Sequence, residues 1–389
     1  MIAGNARKFE VQIMAGIYLH IPFCKQACHY CDFHFSTNTA VKKDLIQAMV
    51  TEIDMRRDYL GGESVQTIYL GGGTPSILAA SEITLLLDAI HRVHAVAENA
   101  EVTLEANPDD LSATTLRELK AIGINRISIG IQSFDDNILA WLNRVHSSRT
   151  AIDSVAAARD AGFDNISIDL IYAIPGLSND LWTQTIECAL DLDTPHISTY
   201  SLTVEDGTVL GNWLRKGRFK HVDDSQAAEQ METLVRILTD RGYRHYEISN
   251  FARPGYESAH NNNYWKGGAY LGIGPSAHSY DRKSRQHNIA SNHLYVKAIR
   301  DRMIPAEEET LAQSERINEY ILTSLRTDTG CDLNFLKDKL GYDIIKLHEG
   351  YVGQLIKASL VVVDGNHLKL TEAGKLLADK ISSDLFSVE

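Results

Sequence analysis

A chain of 389 residues with 44% apolar and 23% charged residues is long enough for one large folded unit and a smaller one. Its 38 basic residues against 51 acidic ones leave a net charge of −13, which argues against a general nucleic-acid binder. No run of about 18 apolar residues offers a spanning helix, and few, clustered cysteines with no secretory leader suit a reducing cytoplasm rather than a disulfide scaffold.

Residues 1–13, MIAGNARKFEVQI, carry no strong pattern, and Met14 would itself be a sensible start. They are expected to be an extension outside the fold. Strands are then expected at Ile17–Phe23, Thr67–Leu70, Glu101–Glu105, Arg126–Ile131, Asn165–Ile171 and His196–Leu202, rich in Ile, Val, Tyr and Thr as buried parallel strands are. Between them the pattern predicts helices over Ala40–Tyr59, Ser81–Val93, Ser112–Ala121, Arg149–Ala161 and Leu181–Leu190. Ser81 and Ser112 look like N-caps, and Gly123 and Gly162 like left-handed terminators. Six strand-then-helix repeats mean a parallel sheet, either open or curled into a barrel, and periodicity does not choose between them. Asp223–Arg241 is a further helical pattern, and Tyr243–Ser249 alternates like a strand. Phe251–Tyr280 is rich in Gly and Asn with few helical signals, and so long an irregular stretch points to a function. From about Ser291 the patterns are short and helical, with a strand pair near Leu360–Val363 and His367–Leu370. The expected division is an extension (1–13), a main unit (14–290) and a small, mostly helical unit of winged-helix type (291–389).

In parallel α/β folds chemistry gathers at the C-terminal ends of the strands. After the first strand come Cys24, Cys28 and Cys31, a C-x3-C-x2-C array. Thiolates so close in one loop are the usual form of an iron–sulfur site. A zinc site would need a fourth ligand such as His29 or His34, and a disulfide would leave one cysteine over. After the second, Gly71–Gly73 and Thr74 expose backbone to a ligand, although a tight strand-to-helix turn has the same composition. The third ends in Glu105, Ala106, Asn107 and Pro108, where a buried carboxylate needs a polar partner. The fourth ends in Gly130–Phe134, with Gln132, and Asn143 and Arg144 follow. An arginine on a helix is more often a solvated surface group. The fifth carries Asp169 within IDLIYAIPG, whose plain reading is an acid capping the turn before Pro175. Further on, HNNNYW supplies His260, Asn261, Tyr264 and Trp265. A loop histidine beside a Tyr–Trp pair is more often structural, yet histidine is a common heme ligand and aromatic rings line a flat macrocycle.

YLHIPFC, the C-x3-C-x2-C array and the aromatic Phe33 together resemble the signature of the radical S-adenosylmethionine (SAM) superfamily. They are similar in particular to its branch of oxygen-independent coproporphyrinogen III oxidases and related heme chaperones, and the resemblance runs from Met14 to the C-terminus. It implies an α/β fold, a partial (βα)6 barrel of the radical SAM type with the smaller helical unit behind it. It also implies that Cys24, Cys28 and Cys31 hold a [4Fe–4S] cluster whose free iron binds SAM. The matching positions imply SAM contacts for Tyr18, Tyr30, Gly72, Gly73, Thr74, Glu105, Gln132, Arg144 and Asp169. Reduction of SAM by the cluster would yield methionine and a 5′-deoxyadenosyl radical, and the residues leave open whether that radical serves a reaction.

Two features separate the branches. The oxidases carry a further cysteine two residues after the third, where this chain has Phe33. HNNNYW resembles the H-N-x-x-Y-W segment of the heme chaperones. That makes His260 the leading candidate heme ligand, with Asn261, Tyr264 and Trp265 as neighbours and His278 of GIGPSAHS as the second choice. The implied function is a heme chaperone that binds cluster, SAM and heme and passes heme to recipients such as membrane respiratory complexes. The alternative is an oxidase converting coproporphyrinogen III to protoporphyrinogen IX. Membrane contact would be peripheral, and a homodimer is compatible with the sequence.

Overall fold

The computed structural model describes residues 14–388; the expected extension at residues 1–13 lies outside them. Six parallel strands stand side by side in chain order: β1 (Ala15–Ile21), β2 (Val65–Gly72), β3 (Val96–Ala106), β4 (Arg126–Gln132), β5 (Asn165–Tyr172) and β6 (His196–Ser201). Their register sets apolar residues side by side, with Ile17 next to Ile68 and Leu104 next to Ile127. Ile17, Leu19, Ile68, Leu104, Ile129 and Ile168 are all fully buried, as a parallel sheet covered by its own crossover helices requires. Those helices are α1 (Lys42–Met55), α2 (Ala80–Val93), α3 (Ala113–Ala121), α4 (Asp136–Trp141), α5 (Ser148–Asp160) and α6 (Asn179–Asp191).

Local chemistry sets the helix ends. Ser112 caps α3 by accepting the Thr115 N–H at 3.1 Å, and Gly123 and Gly162 take φ of 100° and 86° just past α3 and α5. Helix α2 differs from expectation: Ser81 lies inside it, and Glu82 instead accepts the Ala79 N–H at 2.9 Å. A glutamate at the third position thus does the capping without a serine partner.

The barrel is partial. After β6 come α7 (Val209–Arg215), α8 (Asp224–Asp240), β7 (Arg244–Glu247) and β8 (Asn250–Ala252), and β8 pairs antiparallel with β6 instead of leading back to β1. Phe251–Tyr280, expected to be irregular, forms β8, a short helix α9 (Ala259–Trp265), β9 (Tyr270–Ile273) and β10 (His278–Tyr280). Helix α9 is polar and Asn-rich, and its support is tertiary: Glu101 of β3 accepts the N–H groups of Ala259 and His260 at 3.1 Å, and Ser258 accepts that of Asn261. A carboxylate at exposed helical donors offsets a weak propensity.

On the other flank β9 runs parallel to β1, and β10, β11 (Ser284–Asn288) and β12 (Ala306–Thr310) extend the sheet to twelve strands. The buried Glu52 of α1 pins this extension, accepting from Gly274 N (2.9 Å), Asn288 Nδ2 (2.8 Å) and Tyr295 Oη (2.6 Å). Residues 292–310 therefore continue the main unit, contrary to a division at 291. Tyr295, Val296 and Ile299 of α10 (Asn292–Arg300) sit in its core, and β12 in its sheet.

A second apolar core gathers Ile317, Ile321, Leu325, Leu336, Val352 and Leu368. It joins α11 (Gln313–Leu325), α12 (Leu333–Asp338), α13 (Ile344–Leu347), α14 (Glu349–Lys357), α15 (Glu372–Lys375) and α16 (Ala378–Asp384) to a small sheet. That sheet orders β13 (Cys331–Asp332), β15 (His367–Leu370) and β14 (Val361–Asp364). Among the described residues no helix is long and apolar enough to cross a membrane.

Candidate functional site at the open ends of the strands

The loop after β1 carries the three cysteines and is held at both ends. Cys24 N–H donates to Ser36 O (3.1 Å) and Ser36 N–H to Pro22 O (2.9 Å), which ties the mouth of the loop together. Its far side is gripped by the turn after α4: Asn143, at φ 62°, donates from Nδ2 to Ala27 O (2.6 Å), and His29 N–H donates to Leu142 O (3.1 Å). Cys24, Cys28 and Cys31 are free thiols, partly exposed. Thr74 Oγ1 donates to Cys24 Sγ (3.4 Å) and Arg144 Nη1 to Cys28 Sγ (3.3 Å). Burial raises the Cys24 thiol pKa, opposed by the Thr74 bond, and burial takes Cys31 to about 11.

Among the described residues no three His, Cys, Asp or Glu side chains are grouped to hold a single metal ion. A four-iron cluster takes one thiolate per iron and so asks for thiols farther apart than one zinc does. His29 Nδ1 bonds to Trp141 O (2.8 Å) and His34 Nε2 to Asn292 Oδ1 (2.8 Å), which fixes the orientation of both rings beside the loop. The donor set fits a cluster.

The next four strand ends converge beside this loop. Gly73 N–H donates to Ile21 O, and a Cβ at Gly73 would stand 2.8 Å from Phe23 O and 2.9 Å from Ile21 O, so only glycine fits. Gly72 has φ 106°, and a side chain there would meet the His20 ring. Thr74 also accepts from Asn107 Nδ2 (3.4 Å), and Asn107 Oδ1 accepts from Arg144 Nη2 (2.6 Å). Arg144 is not a solvated helical residue. It lies in the turn after α4, bonded to Cys28, Asn107 and Gly130 O, with its Nε buried and unpartnered. Gln132 takes φ 70° at a register shift in β4, which turns it back over Gly130. Tyr30 packs on the core edge beside Arg144; burial raises its phenol pKa and the arginine opposes this.

Inside the barrel the acids are masked. Glu105 accepts from Tyr69 Oη (2.7 Å), and burial pushes its carboxyl up to about 7. Asp169 accepts from Ser128 Oγ (3.2 Å), and burial raises it as well; it faces its neighbouring strands and does not cap the turn before Pro175. Tyr18 donates to or accepts from His20 Nδ1 (3.2 Å) and stacks with Tyr69 and His260 at 6.1 and 6.4 Å.

His260 is fully enclosed. Its Nδ1 meets Thr67 Oγ1 and its Nε2 meets Tyr264 Oη, each at 2.8 Å, and burial drops its pKa to about 3. Both ring nitrogens of the leading heme-ligand candidate are thus hydrogen-bonded within the protein. Asn261 lies in α9 with its N–H on Ser258 Oγ. Trp265 has a buried, unpartnered Nε1, and with Tyr264 it faces a cavity of about 1180 Å³. One wall of this cavity is the loop after Cys31, including Phe33 (72% exposed); another is the small unit through α11 and α12.

Sequence reasoning missed His20 and Arg126. His20 bonds Tyr18 and His34 O, and its ring lies against Gly72. Arg126 is 2% exposed on β4, its Nε unpartnered and 4.0 Å from Glu101 Oε2. A charged residue opening an otherwise largely apolar strand was the available signal for Arg126.

Residues 18–189 match the radical SAM superfamily, and residues 311–377 match the HemN C-terminal domain. The chain is 35% identical over 371 residues to the heme chaperone HemW of Bacillus subtilis, covering 95% of this chain and 98% of the relative. It is 36% identical over 369 residues to the heme chaperone HemW of Lactococcus lactis, covering 94% and 95%. The solved structure of coproporphyrinogen III oxidase (HemN) from Escherichia coli, a radical SAM enzyme, aligns over 97% of this chain and 91% of its own at a TM-score of 0.83. Sequence identity there is 22%, so that likeness establishes a shared fold.

Proposed function

The chain belongs to the HemW heme-chaperone family of the radical SAM superfamily, and on that premise we propose that it binds a [4Fe–4S] cluster, SAM and heme and hands heme to acceptor proteins. Cys24, Cys28 and Cys31 would hold the cluster. A bound cluster with one iron free of protein ligands supplies SAM binding and one-electron reduction. The protein's own part is to shape the surroundings. Thr74 donates toward Cys24 Sγ, which offsets part of the burial that raises that thiol's pKa, and Arg144 donates toward Cys28 Sγ. Gly72 and Gly73 leave backbone open beside them, while Glu105 and Asp169 offer carboxylates to the amino and hydroxyl groups of SAM. Tyr18, Tyr30 and Gln132 complete that pocket.

The observation that carries the heme reading is the cavity of about 1180 Å³ next to the cysteine loop, walled by aromatic side chains. It exceeds the roughly 300–1,000 Å³ of ordinary small-molecule sites and suits a flat macrocycle. Phe33 occupies the position where the resembling oxidases place a further cysteine, which speaks against decarboxylation. The acceptors would be heme-requiring respiratory complexes reached from the membrane surface. Heme-loaded protein mixed with vesicles containing such a complex in its heme-free form should restore respiratory activity and lose its own Soret band. A Soret band that stays with the protein while activity stays absent would defeat the transfer reading.

A further inference from the structure

We propose that the cationic segment at the end of α7, with Lys216, Arg218 and Lys220 at its centre, is the docking surface for an acidic one-electron carrier protein that reduces the cluster. This rests on the cluster reading, since only a cluster in the cysteine loop needs such a donor. At −13 the chain as a whole repels an acidic protein, so a carrier of like charge needs one place where the sign is reversed. Residues 215–220, RKGRFK, put four of the chain's 38 basic residues within six positions. Arg215 is shared with Asp206 (3.2 Å), while Lys216, Arg218 and Lys220 are exposed and have no carboxylate partner among the described residues. Asp223 and Asp224 open α8 and mark the end of the patch.

A run of cations is most often a solvated face, and it is the placement of this one that assigns a partner. Helix α7 lies directly on the cysteine loop. Leu210 N–H donates to His29 O (3.0 Å), the Trp213 ring packs on the His29 ring at 4.6 Å, and a Cβ on Gly207 would stand 3.3 Å from Asp32 Oδ1. His29 follows Cys28 and Asp32 follows Cys31, so the helix that ends in the cations touches the immediate neighbours of two of the three thiols. Trp141 closes the contact: its ring meets Trp213 edge-on at 6.4 Å and Phe219 at 5.5 Å, and its carbonyl bonds His29 Nδ1.

The same packing separates two anionic partners. A segment that binds a bilayer turns its Trp and Phe outward to insert among the lipids. Here Trp213 and Phe219 are both half-buried against Trp141, and the cations are what the segment exposes. A cationic face without an apolar wedge suits a carboxylate-rich protein surface, where complementary charge governs the rate and orientation of encounter. The step itself balances simply. The reduced carrier loses one electron, the cluster gains it, no covalent bond forms or breaks, and no proton moves.

The test uses the cluster-loaded chain and, as probe, a purified acidic flavodoxin. Two quantities are read: the Kd of the pair by calorimetry with oxidised flavodoxin, and the rate at which fully reduced flavodoxin bleaches the cluster's visible absorbance. K216E/R218E/K220E should raise the Kd and lower the second-order rate constant by about tenfold or more, while bleaching by dithionite keeps its wild-type rate. Salt raised from about 0.05 to about 0.5 M should slow the wild type and barely move the variant. K339E/K346E/K357E, at three exposed lysines of the small unit, changes net charge equally and should alter both quantities by no more than about twofold. Equal losses in the two triple variants, or none in either, would overturn the docking surface. So would a K216E/R218E/K220E chain that keeps flavodoxin binding and loses only its sedimentation with phosphatidylglycerol vesicles, since the segment would then be a membrane contact. A chain with no absorbance for dithionite to bleach would overturn the cluster reading and this proposal together.

Discussion

Glu105 lies on β3 inside the barrel, with Tyr69 as its donor and burial holding its carboxyl at about 7 against an ordinary 4.5. A carboxyl whose folded pKa is raised binds its proton more tightly when folded, so it favours the fold at low pH. That contribution is lost as pH rises from about 4.5 to about 7, and it amounts to about 3 kcal/mol at most. His260 works in the opposite direction, since its folded pKa of about 3 makes the fold less stable as pH falls below 6.5. Comparing wild type with Glu105→Gln isolates the first term. The denaturation midpoint of the variant should gain on wild type between pH 5 and pH 7, and a constant difference across that window would refute the masked-acid account. The cysteines carry the sharpest residue-scale prediction. Alanine at Cys24, Cys28 and Cys31 should abolish the visible thiolate-to-iron absorbance of reconstituted protein, and retained iron would reassign the ligands. These thiols were legible because spacing in one loop is a property of sequence. The role of Arg144 was legible only through resemblance, since composition alone makes an arginine a surface residue, and only folding shows the turn after α4 aiming it at Cys28.

At the scale of elements, the end of β2 is the tightest joint. Replacing Gly73 with Ala would put a Cβ within 2.9 Å of two backbone carbonyl oxygens, neither of which is the end of a flexible side chain. Destabilisation by about 1–3 kcal/mol is expected. Gly353→Ala is the paired control. It lies in α14 with nothing within 4 Å of an added Cβ, so it should be neutral or stabilising by about 0.5–1 kcal/mol. Thermal melts showing equal shifts for the two would contradict the close-approach argument. The six βα units were readable because buried parallel strands are apolar throughout. Helix α9 was not, because its stability comes from Glu101, more than 150 residues away in the chain. Strands β11 and β12, SRQHN and AEEET, escaped for a related reason: they are polar and lack the apolar alternation that marks a half-buried strand, and β12 lies at the sheet edge.

In the whole molecule, the small unit is fastened to the sheet end by polar contacts. Buried Lys375 of α15 donates to Glu372 Oε1 (2.9 Å) and His245 O (3.1 Å), and Glu372 also bonds His245 Nδ1 (2.7 Å) on β7. Ile248 N–H donates to Arg326 O (3.1 Å), and Asp328 N–H to Tyr246 O (3.0 Å). Because α11 and α12 form one wall of the cavity, this junction also sets the cavity's shape. Lys375→Ala should cost about 1–2 kcal/mol and speed hydrogen exchange in residues 311–388 more than in β1–β6. Uniform exchange rates would show that the contact does not fasten the two units. The central claim is that the site beside the cysteine loop carries heme and does not decarboxylate a porphyrinogen. It is tested most directly on anaerobically reconstituted protein given SAM and then, in parallel, heme or coproporphyrinogen III. The account predicts a Soret band that stays with the protein through gel filtration and no protoporphyrinogen IX. Decarboxylation of coproporphyrinogen III without retained heme would contradict it.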